Sequence, residues 1–385
     1  MKIKRETLIE KMTKVASVAN YKDSKGIIRI DLTESETGNS MVLFGSDGIN
    51  SAMTHLAYNE NVGGGTFYLD SKKVINYLRN LGAFEIDEID MDFGEKEITI
   101  TTGKAKFNFP VEVVKDYPQM VEVNLETIEG NKYTINCDSQ IFHRKMVNMA
   151  KTVGGCERAI LMYCNVIASS DSMNFVTSDG FRASLATMKA EAINLQTRLA
   201  IESPVEFNIN PNILSRLLTP VSGIDVTMLV TNDLIYVVDS ESAITLKTIK
   251  ESFPNVRRMM PEVDFESGKV PFKAIYEVEG KELNNALALL RAVLSNEKNK
   301  RICFELGESC KVESTQSKDQ GKIQLGGVIT GEAIKINFDI LKLDVLNNGI
   351  EKLRIGLIDK ESPIYVYDAS EVNNFSNAFM LMPML

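Results

Sequence analysis

Catalytic signatures are scarce in this chain of 385 residues. Only two histidines occur, His55 and His143, and they lie far apart. A lone histidine beside the apolar Phe142 in a basic helix is ordinarily solvated or packed, so histidine chemistry is not expected. There is no Gly-x-x-x-x-Gly-Lys loop and no Gly-x-Ser-x-Gly elbow. The triplet Gly63-Gly64-Gly65 precedes a strand, Thr66-Phe67-Tyr68, and not a helix, so it does not cradle a phosphate. The five cysteines, Cys137, Cys156, Cys164, Cys303 and Cys310, are odd in number and include no Cys-x-x-Cys pair. This argues against a disulfide framework or zinc site and for reduced thiols in the cytoplasm. No apolar run approaches the roughly 20 residues that cross a bilayer. The charged start Met1-Lys2-Ile3-Lys4-Arg5-Glu6 runs directly into an amphipathic pattern, unlike a signal peptide. No cofactor and no membrane partner are therefore expected. A surplus of positive charge is also missing. The formal net charge is −9, which argues mildly against nucleic acid without locating the basic residues.

What is present is a soluble globular composition, 44% hydrophobic and 25% charged, on a chain too long for one ordinary core. Apolar spacing predicts a helix over 7–19, with Leu8, Met12, Val15, Ala16 and Ala19 on one face. Strands follow at Gly26–Ile30 and Met41–Phe44. A second helix is expected from Ser71 to Leu81, with Asp70 as N-cap and Gly82 as stop. Strands return at Glu97–Thr101 and Lys106–Phe109. Tyr117-Pro118 breaks the pattern, and an acidic, aperiodic segment runs to about Asn131. The order then repeats. A helix is expected near Asp138 with Phe142, Met146 and Met149 inward and Arg144, Lys145 and Lys151 toward solvent. A short helix opens at Asn210-Pro211. A third round places Leu283, Leu287, Leu290 and Leu294 on one helix. It places Phe338, Leu341 and Val345 on another, ending at Asn348-Gly349. The expected fold is α+β in three similar units, 1–127, 128–256 and 257–385.

Three patterns could carry function. Glu88, Asp90 and Asp92 alternate with apolar residues at strand spacing. A solvated strand face is the simpler reading, and a metal-dependent hydrolase is the alternative. Basic residues collect on or beside the helices: Lys11, Lys14, Lys73, Arg79, Arg144, Lys151, Arg216 and Arg291, with Lys22 in the loop after the first helix. The third pattern is Phe175-Val176-Thr177-Ser178-Asp179-Gly180-Phe181-Arg182-Ala183, a strand broken by the hairpin signal Asp-Gly.

That hairpin, the segment Phe253-Pro254-Asn255-Val256-Arg257-Arg258-Met259 and the tail Phe379-Met380-Leu381-Met382-Pro383-Met384-Leu385 together resemble the bacterial DNA polymerase III β sliding clamp. The runs Leu294-Ser295-Asn296-Glu297-Lys298 and Asp344-Val345-Leu346-Asn347 are similar to family motifs after the fifth helix and in the sixth. Phe181 and Ala183 depart from the family's frequent histidine and leucine, and Met384-Leu385 lacks its common penultimate arginine. The resemblance implies three clamp domains, each with two helices packed on antiparallel sheets. Two subunits would close a six-domain homodimeric ring around duplex DNA, without intrinsic catalysis. The basic residues on the helices would contact DNA. A peptide pocket for the replicative polymerase, the clamp loader and other replication and repair proteins would comprise Leu161, Ser178, Gly180, Phe181, Arg182, Ala183, Pro254, Arg258, Met259, Met380, Met382, Pro383, Met384 and Leu385. Arg182 and Arg258 would frame its rim. Phe107 and Phe109 would meet Val293 and Leu294 of the next subunit. The runner-up is a phage- or plasmid-encoded processivity or repair clamp that uses the same fold.

Overall fold

The computed structural model describes the chain except for residues 22–23, 35–37, 61, 104, 120–132, 155–157, 170, 190–192, 195–203, 219, 222–223, 240, 298–299, 315–320, 347–348, 371–376 and 385. Lys22, Cys156, Lys298, Asn347, Asn348 and Leu385 therefore lie outside the described residues, as does most of the acidic segment before Asn131. Among the described residues no helix is long and apolar enough to cross a membrane.

The chain divides into two compact units. One holds 1–143, 194–199 and 212–249; the other holds 144–193, 200–211 and 250–385. In the first unit, a small antiparallel sheet pairs Lys2–Lys4 with Glu88–Phe93, then Glu97–Thr101, then the edge strand Lys106–Pro110. A larger antiparallel sheet runs from Tyr133–Asp138 through Asp225–Val230, Leu234–Val238, Ser242–Lys247, Ser51–Tyr58, Asn39–Ser46 and Ile27–Thr33 to Gly65–Asp70. Its centre joins distant sequence, with Ser242 opposite Thr54.

Helix α1, Arg5–Ala16, buries Leu8, Met12 and Val15 against this sheet. It approaches so closely that a Cβ on Gly45 would sit 2.1 Å from the Val15 carbonyl oxygen. The helix ends before the expected boundary at 19, where the Ser17 hydroxyl donates to the Lys14 carbonyl at 2.7 Å. Helix α2, Ser71–Leu81, has the expected cap: the Asp70 carboxylate accepts from the backbone N–H groups of Lys72 and Lys73. Such a cap contributes about 1 kcal/mol. Its end differs from expectation. Gly82 keeps helical backbone angles and opens a 3-10 turn, Gly82–Phe84, that closes at the left-handed Glu85. Gly82 instead makes room for the buried Arg5 guanidinium, which donates to the carbonyls of Ile86 and Leu78.

In the second unit, an antiparallel sheet runs Val205–Ile209, Cys164–Ala168, Ser172–Ser178, Arg182–Lys189, Asn377–Leu381, Ile364–Asp368, Lys352–Leu357, Ala274–Glu279, Val328–Gly331. A four-stranded sheet orders Lys322–Leu325, Cys310–Ser314, Arg301–Leu306 and Ile334–Asp339. Helix α5, Gly280–Val293, contributes Leu283, Leu287 and Leu290 to the core between these sheets. The helix expected to carry Phe338, Leu341 and Val345 starts later than expected and is shorter. Asn337 and Phe338 belong to the strand Ile334–Asp339, and only a 3-10 helix, Ile340–Leu346, follows. Two more helices cross the expected middle segment: α3, Ser139–Ala150, and α4, Pro211–Leu217.

Candidate functional site

The hairpin is built around one carboxylate. Asp179 accepts from the backbone N–H groups of Phe181 at 3.0 Å and Arg182 at 2.9 Å, and from Arg182 Nε at 3.0 Å. Lys342 Nζ adds a fourth bond at 2.9 Å. Gly180 takes φ +89°, a conformation that a side chain would strain, and leaves room for the turn. Burial raises the Asp179 pKa, but these donors and the Arg182 charge outweigh it, and the net shift is downward. Arg182 reaches on to the Lys342 carbonyl and pairs with Asp344. Arg182 is therefore buried and structural, contrary to its expected place on the rim.

The tail runs beside the hairpin. Arg182 pairs with Leu381 and Ala183 with Met380 in the sheet, and Met382 N–H donates to the Phe181 carbonyl at 2.8 Å. The third segment joins through packing: Ala183, Val256 and Met380 share one apolar cluster with Val176, Tyr365 and Tyr367. Pro254 and Pro383 are half-buried, and Arg258 is exposed. The apolar side chains left at the surface are Phe181 (60% exposed), Met259 (51%), Met382 (37%) and Met384 (37%). Lys342 Nζ stands 5.2 Å from the Phe181 ring centroid. Leu161 is buried in the 3-10 turn Ala159–Met162 and is not a member of the shared cluster, whereas its neighbour Met162 is exposed. Ser178 is buried and bonds the Arg182 carbonyl through its hydroxyl. Sequence reading did not single out Lys342 or assign Asp344 this contact, because both reach the hairpin from more than 150 residues away.

The basic candidates divide by exposure. Lys73, Arg79, Arg144 and Arg216 are exposed, and Lys151 and Arg291 are partly buried. Lys11 and Lys14 are buried beside Glu241, with Nζ–Oε2 distances of 3.3 Å and 3.8 Å. Lys145, expected in solvent, is buried and donates to Asn377 at 2.9 Å. Of the contact candidates on the edges, Phe107 is 53% exposed and stacks near Tyr77, while Phe109 is buried. Val293 is exposed and Leu294 is buried in its own core.

The acidic strand does not support the hydrolase alternative. Asp90 is paired with the chain's amino group at 2.8 Å, and no group of three metal-ligating side chains occurs among the described residues.

This fold, with long antiparallel sheets that join distant segments and a hairpin paired with the tail, is shared with solved DNA sliding clamps. Residues 1–121 match the family model of the DNA polymerase III beta subunit, N-terminal domain. A DNA polymerase III subunit beta from Pseudomonas aeruginosa shares the fold at TM-score 0.73 and 19% identity, covering 100% of this chain and 99% of that one. The beta subunit from Thermotoga maritima gives 0.76 at 16% identity, with 100% and 98% covered. The sliding clamp from Bacillus subtilis gives 0.74 at 16%, with 100% and 98% covered. No curated protein sequence matches the chain.

Proposed function

We propose that this protein is a replicative sliding clamp, a non-catalytic subunit that encircles duplex DNA as a homodimeric ring and tethers a DNA polymerase. The observation that carries this reading is the full-length likeness to clamp structures together with the family match of residues 1–121. Three clamp domains, 1–127, 128–256 and 257–385, suit it, since each larger sheet pairs strands from two successive segments. The protein would work in the cytoplasm beside the clamp loader.

Sliding requires weak contacts to phosphate with no base readout. The exposed Lys73, Arg79, Arg144 and Arg216, with Lys151 and Arg291, suit such contacts. Lys11 and Lys14 support it less, because Glu241 already neutralises part of their charge. Ring closure would use Phe107 on the edge strand and Val293, whose exposed side chains have area to bury. Phe109 and Leu294 would support them from beneath.

Partner peptides resembling Gln-Leu-x-Leu-Phe would dock on Phe181, Met259, Met382 and Met384. Methionine is flexible and polarisable and adapts to several partners. Pro254 and Pro383 would stiffen the walls and reduce the ordering cost. The deciding experiment compares retention of loaded protein on circular and linearised DNA. Retention only on the circle supports the ring; equal retention on both, or on neither, overturns it.

A further inference from the structure

The chain carries its hairpin twice. Ser46-Asp47-Gly48-Ile49-Asn50 in the first unit repeats Ser178-Asp179-Gly180-Phe181-Arg182 bond for bond. The Asp47 carboxylate accepts from the N–H groups of Ile49 at 2.8 Å and Asn50 at 2.6 Å, as Asp179 does from Phe181 and Arg182. The Ser46 hydroxyl donates to the Asn50 carbonyl at 2.9 Å and accepts from the Gly48 N–H at 3.0 Å, as Ser178 does with Arg182 and Gly180. Gly48 and Gly180 take φ +86° and +89°. The fifth side chain closes on the aspartate in both, from Asn50 Nδ2 at 2.9 Å and from Arg182 Nε at 3.0 Å. Asp239, Asp264 and Asp359 cap similar turns, but without a serine before the aspartate or a glycine after it.

The flanking segments are repeated too. Each hairpin's second strand pairs with a strand from far along the chain, Ser51 opposite Thr245 and Ala183 opposite Met380. Two residues beyond Thr245, the Lys247 N–H donates to Asn50 Oδ1 at 3.1 Å; two beyond Met380, the Met382 N–H donates to the Phe181 carbonyl. Lys247 thus stands where Met382 does, and Ile249 where Met384 does. Tyr117-Pro118 likewise repeats Phe253-Pro254. The Tyr117 ring lies 6.1 Å from that of Phe44, three residues before Asp47. Val176, three residues before Asp179, belongs to the cluster that Phe253 packs against.

The frames match, but their chemistry differs. Ile49 is 59% exposed, so this turn also lifts one apolar side chain into solvent. The exposed Lys247 replaces a methionine, and Ile249 is half-buried. The first-unit frame therefore offers an aliphatic anchor beside a cation instead of a row of methionines. We propose, resting on the peptide reading of the hairpin and tail, that this frame is a second partner site for an extended acidic peptide. A leucine of that peptide packs on Ile49 and Ile249, and its carboxylates meet Lys247. Apolar burial supplies the anchor, while the exposed ion pair adds a modest, salt-sensitive preference. The two sites would then sort partners by charge.

The test uses the full chain with labelled isoleucine and methionine methyl groups, which report the two sites separately. Acetylated, amidated Gly-Glu-Leu-Glu-Gly, Gly-Lys-Leu-Lys-Gly and Gly-Glu-Gly-Glu-Gly are titrated by NMR. The first should give saturable shifts at the Ile49 and Ile249 methyl groups and leave Met382 and Met384 in place. The other two should bind about tenfold more weakly. Lys247→Glu, a surface change, should reverse the preference between the first two peptides. No saturable shift at Ile49, an unchanged preference in Lys247→Glu, or shifts confined to Met382 and Met384 would each overturn the proposal. The last result would put the peptide in the anchor pocket and leave that reading standing. Deleting Met382–Leu385 should not alter the Ile49 response, so failure of the anchor pocket is seen separately.

Discussion

The Asp179 carboxylate, buried at 3% side-chain exposure, faces two cations at 3.0 Å and 2.9 Å. Removing its charge leaves Arg182 its bond to Asp344 and Lys342 its partial exposure, so what is lost is the charge-assisted hydrogen bonding of a buried carboxylate, about 1.5–3 kcal/mol. Asp179→Asn should lower stability by that order in urea unfolding. The pH dependence has a definite sign. The folded-state pKa is depressed, so the contribution is present above the ordinary aspartate value near ~3.9 and is lost as pH falls through the folded value. The wild type should lose this part of its stability below about pH 4, and Asp179→Asn should show a flatter acid limb over that range. At this scale the sequence misleads where long side chains are concerned. Lys11, Lys14 and Lys145 have the spacing of solvated residues, yet their aliphatic stems pack inward and their ammonium groups find Glu241 or Asn377 more than 200 positions away. Helical periodicity carries no information about such partners.

At the element scale, the tail strand Asn377–Leu381 is interior, hydrogen-bonded to Arg182–Lys189 on one side and Ile364–Asp368 on the other. Beyond it, Met382 N–H donates to the Phe181 carbonyl of the hairpin, and Met384 N–H donates to the Asn337 carbonyl in the strand Ile334–Asp339. Deleting Met382–Leu385 removes those two bonds but no strand pairing, so it should leave the sheet and the proposed dimer intact while abolishing anchor-peptide binding in a calorimetric titration. Wild-type affinity after truncation would disprove the pocket. The approach of α1 to its sheet gives a second check. Gly45→Ala should destabilise by about 1–3 kcal/mol, because the added carbon meets backbone and not a yielding side chain. The hairpin, the capped α2 and the leucine face of α5 were legible because local chemistry decides them. The Ile334–Asp339 strand was not. Phe338, Leu341 and Val345 satisfy helical spacing, but Ile334, Ile336 and Phe338 equally satisfy alternation, and pairing with Arg301–Leu306 settles it.

For the whole molecule, the proposed assembly makes two measurable claims. Phe107, held 4.8 Å from the Tyr77 ring on an edge strand, would be covered by a second copy. Phe107→Asp should raise the monomer fraction in equilibrium sedimentation without unfolding the protein, and an unchanged dimer would count against this interface. Lys73→Ala or Arg79→Ala should each reduce the salt slope of DNA retention by up to about 0.9 without creating sequence preference. Element order predicts three units, whereas the chain's contacts divide it into two compact units. The way strands of successive segments complete one another's sheets was not legible, since register between residues so far apart leaves no local trace.

That long-range completion has a consequence for biosynthesis. Arg182 waits for Leu381, roughly 200 positions later, and at ~5–20 residues per second the ribosome takes about 10–40 s to supply it. During that interval the strand Arg182–Lys189 has one bare edge, rich in unpaired backbone groups and flanked by apolar side chains. An unpaired edge is a template for pairing with other chains, so a chain truncated before Asn377 is expected to aggregate more readily than the full-length one.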